Sequence, residues 1–84
     1  MDVSEIAERA REELVKMTKL QLSGVIGTAR EDKGWVVTIE MVEKKSIPDS
    51  MDVLGTYEVK LNDQGQIADF QRVKLRKRGE TTEE

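Results

Sequence analysis

The chain has 84 residues, of which 37% are apolar and 37% charged, and its net charge is −3. This length allows one domain, and the apolar residues recur at regular spacings, which indicates that the domain is folded. The absence of cysteine and histidine excludes disulfide bonds, thiolate metal sites and histidine-based acid–base catalysis. No apolar run is long enough to span a membrane and the first residues do not resemble a secretory signal, so we expect a cytoplasmic protein.

The charges are unevenly distributed along the chain. Residues 1–69 carry 9 basic and 14 acidic side chains, whereas residues 70–79 carry 5 basic side chains and no acidic one. Residues 80–84 contain three carboxylates and no apolar residue, which predicts a disordered acidic tail after a single domain of residues 1–79. The basic block at residues 70–79 is the strongest electrostatic feature of the sequence.

The first predicted element is a helix over residues 3–20. Four apolar residues recur at intervals of four, four and three, which places them on one helix face. They are Ile6, Ala10, Leu14 and Met17. Ser4 is the expected N-cap. Because the opposite face is charged, we expect this helix to cover one face of a sheet.

Four strands are predicted after the helix. They span residues 22–30, 35–43, 53–61 and 66–78. Gly34 and Gly65 each end a short polar turn, where a glycine suits the left-handed conformation of a hairpin. Alternation of apolar and polar residues places Trp35 and Tyr57 in the core. The second strand is partly apolar on both faces, which is typical of a central strand.

In the fourth strand the apolar residues do not keep to one face. Val73 and Leu75 have odd numbers and Phe70 an even one, so regular alternation would place Phe70 on the opposite face. A β-bulge near residues 70–72 would restore a single core face, to which Val73 and Leu75 would then belong. One helix followed by four closely connected strands predicts the α+β class. In this fold the helix packs on a four-stranded antiparallel meander sheet.

The fourth strand also carries the best candidate binding residues. In strand geometry its alternate cations share the exposed face at intervals of about 6.8 Å. These cations are Arg72, Lys74, Arg76 and Arg78. Such a stripe suits an acidic protein surface or a phosphate backbone, or it serves only to discourage pairing of an exposed sheet edge. Nucleic acid is the weaker of the two binding interpretations, because Phe70 is the one nearby aromatic residue and the whole chain is acidic.

The loop before the third strand contains Pro48, Asp49 and Asp52. These two carboxylates are the best placed for acid–base chemistry, but a loop on so small a sheet seldom forms the cleft that such chemistry needs. We therefore expect Asp49 to cap a turn and Asp52 to lead into the strand. The loop offers too few oxygen ligands for calcium, and no phosphate-binding motif occurs. We predict no catalytic residue, no metal site and no cofactor.

The strand region resembles the gas vesicle protein O family over about residues 5–79. The resemblance lies in residues 34–35, 37–43, 47–49, 52–54, 57–59, 65, 70, 72–73 and 78–79. Tyrosines that are common in the last strand of the family correspond here to Phe70 and Arg76. The resemblance implies a non-enzymatic accessory protein that is required to form gas vesicles, the protein-walled flotation compartments of some bacteria and archaea. It also implies contacts with other accessory proteins or with the shell protein.

Residues and resemblance together predict a protein–protein interaction module for gas vesicle assembly. The stripe of cations would meet an acidic partner, and the loop at residues 48–52 would add shape at one end. The alternative is a small regulator that binds nucleic acid through the same strand. A homodimer through an open edge of the sheet is a further arrangement that the topology allows.

Overall fold

The computed structural model describes residues 2–79, which form one α-helix and four strands. Helix α1 spans Val3–Thr18, and strands β1 to β4 span Gln21–Glu31, Gly34–Lys44, Val53–Asn62 and Ile67–Lys77. The strands pair antiparallel in the order β1-β2-β3-β4, which confirms the predicted helix and meander sheet. Among residues 2–79 no helix is both long and apolar enough to cross a membrane. The tail predicted at residues 80–84 lies outside the described residues.

The helix begins at a different cap from the one predicted. Asp2 is the N-cap, and its carboxylate accepts a hydrogen bond of 3.0 Å from the Glu5 backbone N–H. The Glu5 carboxylate in turn accepts one of 3.1 Å from the Asp2 N–H, which completes a capping box. The prediction of Ser4 as N-cap was wrong, because Asp2 has the required spacing from Glu5. The helix ends before Lys19, which has a φ of 62° and donates its N–H to the Val15 carbonyl.

The core lies between α1 and one face of the sheet. The helix contributes Ile6, Ala10 and Leu14, all fully buried, whereas Met17 is 46% exposed. The strands contribute Trp35, Val37, Ile39, Met41, Tyr57, Val59 and Leu61. Trp35 and Tyr57 are therefore core residues, as predicted. The face that contains this core is referred to below as the helix side of the sheet.

Strand β4 departs from the prediction, because Val73 and Leu75 are 46% and 49% exposed and do not join the buried core. Helix α1 packs across β1, β2 and β3, so a side chain on the helix side of β4 has less cover. Leu75 lies there, opposite Gly55. Val73 lies in a bulge, between the pairs that Arg72 and Lys74 form with β3. A second bulge occurs at Ala68, so the bulges flank the position that we predicted.

The two hairpin glycines serve different purposes. Gly65 has a φ of 78°, which confirms the expected left-handed conformation at the β3–β4 turn. Gly34 does not adopt a positive φ, so the same expectation was wrong for the β1–β2 turn. Its small size matters instead, because a Cβ atom at Gly34 would overlap the backbone carbonyl oxygen of Leu61 on β3. Glycine at this position therefore permits a close approach of two strands.

Both edge strands of the sheet are interrupted by bulges. In β1 the extra residues are Ser23 and Ile26, and in β4 they are Ala68 and Val73. A bulge leaves one residue out of the ladder and bends the edge, which hinders pairing with a second sheet. This geometry works against the homodimer through a sheet edge that the topology allows.

Candidate interaction site

The predicted stripe of cations does not lie on one face of the sheet. The register places Arg72 opposite Tyr57, on the helix side, and Lys74 opposite Thr56, on the other face. Arg76 has the same parity as Lys74 and shares its face. The bulge at Val73 causes the split, because one extra residue moves every following side chain to the opposite face.

Each of the three arginines at or near β4 has a carboxylate partner. Arg72 Nη1 lies 3.6 Å from Glu43 Oε1, Arg76 Nη2 lies 2.8 Å from Glu40 Oε2, and Arg78 Nη2 lies 3.2 Å from Asp52 Oδ2. Lys74 is exposed and has no such partner among the described residues. The arginine charges are thus locally compensated, and hydrogen bonds hold Arg76 and Arg78 in place, while Lys74 keeps an uncompensated charge.

Glu40 fixes one of these arginines from the middle of the sheet. It lies on β2, on the face opposite the helix, and receives hydrogen bonds from two sides. Ser23 Oγ donates to Oε1 over 3.0 Å from β1, and Arg76 donates to Oε2 over 2.8 Å from β4. This network spans the sheet and holds the Arg76 guanidinium in a defined position, while the Arg76 side chain as a whole is 32% exposed.

Asp52 is the most elaborately bonded residue of the candidate site. Its side chain is 1% exposed and accepts a 2.7 Å hydrogen bond from the Ser46 backbone N–H. Arg78 donates through Nε and Nη2 over 3.3 and 3.2 Å, and Lys45 Nζ lies 4.0 Å away. The Ser46 N–H, followed by Arg78 and Lys45, holds the pKa of Asp52 below its ordinary value of 3.8, against the opposing effect of burial.

The same region is also joined through the backbone. The Arg78 N–H donates to the Asp52 carbonyl over 2.8 Å, and the Gly79 N–H donates to the Ser50 carbonyl over 2.9 Å. We refer to the Asp52 carboxylate contacts and these two backbone bonds as the Asp52 clasp. The clasp joins the β2–β3 loop to the residues that follow β4.

The β2–β3 loop projects beyond this clasp. It contains a cis peptide bond between Ile47 and Pro48 and a 3-10 helix at Asp49–Met51. No side chain caps this turn, so the expected capping role of Asp49 was wrong. The expectation that Asp52 leads into the strand is confirmed, since β3 begins at the next residue. Ile47 is 99% exposed and Met51 45% exposed, which places two apolar side chains at the loop surface.

A second polar cluster lies on the helix side, around Tyr57. The Tyr57 hydroxyl donates a 2.6 Å hydrogen bond to Glu43 Oε2, and the Glu43 carboxylate also faces Arg72. Gly55 leaves room for Glu43, because a Cβ atom there would lie 2.9 Å from Glu43 Cγ. The Phe70 ring is tilted against Tyr57, with 6.3 Å between centroids. Burial, and then the bond to the Glu43 carboxylate, raises the pKa of Tyr57 to about 12.

Alkaline titration of the folded protein should show this shift directly, because Tyr57 is the only tyrosine of the chain. We expect the absorbance of tyrosinate to rise with a midpoint near pH 12 in the native state, and near pH 10 in denaturant. Since the folded pKa is raised, the stabilisation is present below pH 10 and is lost as the pH rises towards 12. A native-state midpoint near 10, with circular dichroism unchanged, would contradict the proposed Tyr57–Glu43 bond.

The structure joins only some of the residues that the sequence singled out. It brings Asp52 and Arg78 into contact, whereas Arg72 lies on the opposite face from Lys74. Sequence reasoning missed Glu40 and Glu43, the β2 carboxylates that bind these cations. Glu43 could have been noticed in the sequence, because alternation places its carboxylate on the otherwise apolar face of β2. Among the described residues no three His, Cys, Asp or Glu side chains come together as a metal site.

Comparison with known proteins identifies the family. The family model described as gas vesicle synthesis protein GvpO matches residues 1–82. The chain belongs to the gas vesicle protein O family. The resemblance of the strand region to this family is thereby confirmed, and a role related to gas vesicles follows from membership. No solved structure matches the chain significantly.

Three curated members of the gas vesicle protein O family are similar to the chain. Gas vesicle protein O1 of Halobacterium salinarum is 32% identical over 98% of the chain, and gas vesicle protein O of Haloferax mediterranei is 30% identical over 98%. Gas vesicle protein O of Streptomyces sp. strain CB03234 is 31% identical over 80%. The matched regions cover 69%, 59% and 52% of these relatives, so the relatives are longer than the part that they share with this chain.

Proposed function

We propose that this member of the gas vesicle protein O family is a non-enzymatic accessory protein that acts in gas vesicle formation by binding another gas vesicle protein. Family membership supports the vesicle role, and the arrangement of charge on and near β4 supports the binding role. The partner surface is acidic and meets the face that carries Lys74 and Arg76. The Asp52 clasp and its loop form the end of this surface.

The main support for the binding role is that carboxylates hold the arginine side chains in defined positions. The Arg76 and Arg78 side chains are held by carboxylates yet remain 32% and 40% exposed, so part of each side chain is available to a partner without further ordering. Lys74, two residues before Arg76 in the sequence, adds an uncompensated charge. Fixed side chains lose less conformational entropy when a partner binds, which favours a defined protein contact.

Polyanion binding draws less support from this arrangement. Affinity for a phosphate backbone grows with the number of phosphates that free cations neutralise. Glu43, Glu40 and Asp52 already offset three of the four predicted cations. Binding of nucleic acid is therefore tested as an alternative outcome of the experiment below.

Reversal of the charge at Lys74 tests the proposal without disturbing an ion pair. The purified domain serves as bait in a lysate of gas-vesicle-forming cells, with and without nuclease. We expect the wild type to retain a gas vesicle protein in both arms, and Lys74→Glu to weaken retention several-fold, most strongly at low salt. Lys33→Glu is the matched control, since Lys33 is an exposed lysine in the β1–β2 turn, at the opposite end of the sheet from the clasp.

Two outcomes would count against the proposal. Equal retention by the wild type and Lys74→Glu would show that this face is not the contact surface. Recovery that disappears with nuclease would favour binding of nucleic acid. Arg72→Glu is less suitable as a probe, because it would place a carboxylate beside Glu43 and destabilise the Tyr57 cluster.

A further inference from the structure

The tip of the β2–β3 loop carries an unusually exposed apolar side chain. Ile47 is 99% exposed, the highest value among the large apolar residues of the described chain. Met51, on the same loop, is 45% exposed. Single apolar side chains on a surface are common, so exposure alone assigns no role to Ile47. The hydrogen bonds of the loop and the charges around Ile47 provide the further observations.

The loop that presents Ile47 is held at its base. Its neighbour Ser46 donates a backbone hydrogen bond of 2.7 Å to the buried Asp52 carboxylate. Within the loop, the Met51 N–H donates to the Pro48 carbonyl over 2.9 Å. The Asp52 clasp then joins the far side of the loop to Arg78 and Gly79, which follow β4. A loop fixed in this way presents its apolar tip without the ordering cost that a flexible loop would incur on binding.

The charge around the tip is opposite to that of the whole chain. Five basic side chains, from Lys44, Lys45 and residues 76–78, lie in the loop or at the strand ends beside it, together with the loop carboxylates Asp49 and Asp52 and with Glu40, the partner of Arg76. These residues have a net charge of +2 in a chain whose total is −3. The Asp52 carboxylate is buried and the Glu40 side chain is 15% exposed, so Asp49 is the most accessible acidic group of this set.

We propose that Ile47 inserts into an apolar depression, rimmed by acidic side chains, on a partner protein. The inference rests on the proposed function, since the partner is taken to be a gas vesicle protein. The apolar tip supplies the anchor, and the cations around it select an acidic rim. The rigid base explains how one small loop contributes usefully to affinity. The loop thus acts as a preformed plug at the end of the sheet.

The test combines a photo-crosslinking residue at Met51 with substitutions at Ile47, in gas-vesicle-forming cells. We expect the wild-type loop to give an adduct with one gas vesicle protein, and mass spectrometry to map it beside acidic residues. Ile47→Asp should reduce this adduct by about tenfold or more, because it places a charge in the apolar depression. Ile26→Asp is the matched control, since Ile26 is another exposed isoleucine, on the β1 edge.

The outcomes separate this inference from the proposed function. If the purified wild type retains a gas vesicle protein but Ile47→Asp retains it equally well, the plug is wrong and the binding role stands. If the wild type retains no gas vesicle protein, the binding role fails and the plug fails with it. An adduct with a second copy of this chain, or with nucleic acid, would also overturn the plug. Thermal melting of both variants confirms that they are folded.

Discussion

Replacement of Gly34 by alanine is expected to lower the free energy of unfolding by about 3 kcal/mol. The new Cβ atom would overlap the Leu61 carbonyl oxygen and would lie 3.0 Å from the Leu61 carbonyl carbon and 3.1 Å from the Asn62 Cα. All three atoms belong to the backbone of β3, so no side-chain rotation can relieve the overlap. The β2–β3 pairing must therefore shift at its end, which strains the hairpins on both sides. Chemical denaturation of the purified domain measures the change.

Gly24→Ala provides the matched control for this prediction. A Cβ atom at Gly24 has no heavy atom within 4 Å, apart from its neighbours in the chain. We expect its free energy of unfolding to stay within about 0.5 kcal/mol of the wild type, since the substitution is on an open surface. If Gly34→Ala proves as stable as Gly24→Ala, the close approach of β2 and β3 at Gly34 is incorrect.

Substitution of Asp52 by asparagine should lower the melting temperature by about 10 °C at neutral pH. Asparagine preserves the size of the side chain and one oxygen for the Ser46 N–H. It removes the charge that Arg78 and Lys45 face, and it turns an amide NH₂ group towards donors. Thermal melting followed by circular dichroism measures the effect. Asp49→Asn is the control, because Asp49 is an exposed carboxylate of the same loop.

The effect of Asp52→Asn should depend on pH in a defined direction. The folded pKa of Asp52 lies below its ordinary value of 3.8, so the charged carboxylate stabilises the folded state above that pH. This contribution is lost as the pH falls through the folded pKa. The gap in melting temperature between wild type and variant should therefore be full at neutral pH and should narrow below about pH 4. A gap that stays constant down to the lowest pH would contradict the charge-based role of Asp52.

The sequence was sufficient for the class of fold because each element has a strong periodic signal. Helix α1 repeats its apolar residues at helical intervals, and β2 alternates over its whole length. The turns between strands carry glycine and polar residues. These are local properties, so they predict local structure and, through short connections, the meander. The ends of the elements differ by one or two residues, since they depend on caps such as Asp2 and Lys19.

The distribution of the cations could not be predicted in the same way. The phase change in β4 indicated a bulge, but its position depends on the register with β3, which is a contact between distant parts of the chain. An extra residue at Val73, placed after Arg72, separates Arg72 from Lys74. An extra residue before Arg72 would have kept them together. The alternation rule therefore fails at the position that decides which cations share a face.

The carboxylates that pair with these cations are equally distant in sequence. Glu40 and Glu43 lie on β2, and each reaches past β3 to an arginine of β4. Glu43 is moreover the extra residue of a bulge in β2, between the pairs that Val42 and Lys44 form with β3. Alternation within β2 marks Glu43 as unusual on an apolar face, but no pattern within a single strand reveals which cation a carboxylate binds. This is why the cations seemed uncompensated in the sequence and are largely compensated in the fold.

The Asp52 clasp has a practical consequence for any shortened or tagged version of this protein. The β2–β3 loop depends on Arg78 and Gly79, although these residues lie more than twenty positions further along the chain. A version cut after Lys77 would keep every strand and still lose the side chain and both backbone donors that secure the loop. Fusion partners are therefore best attached beyond Gly79, with a spacer that leaves its contact with Ser50 undisturbed.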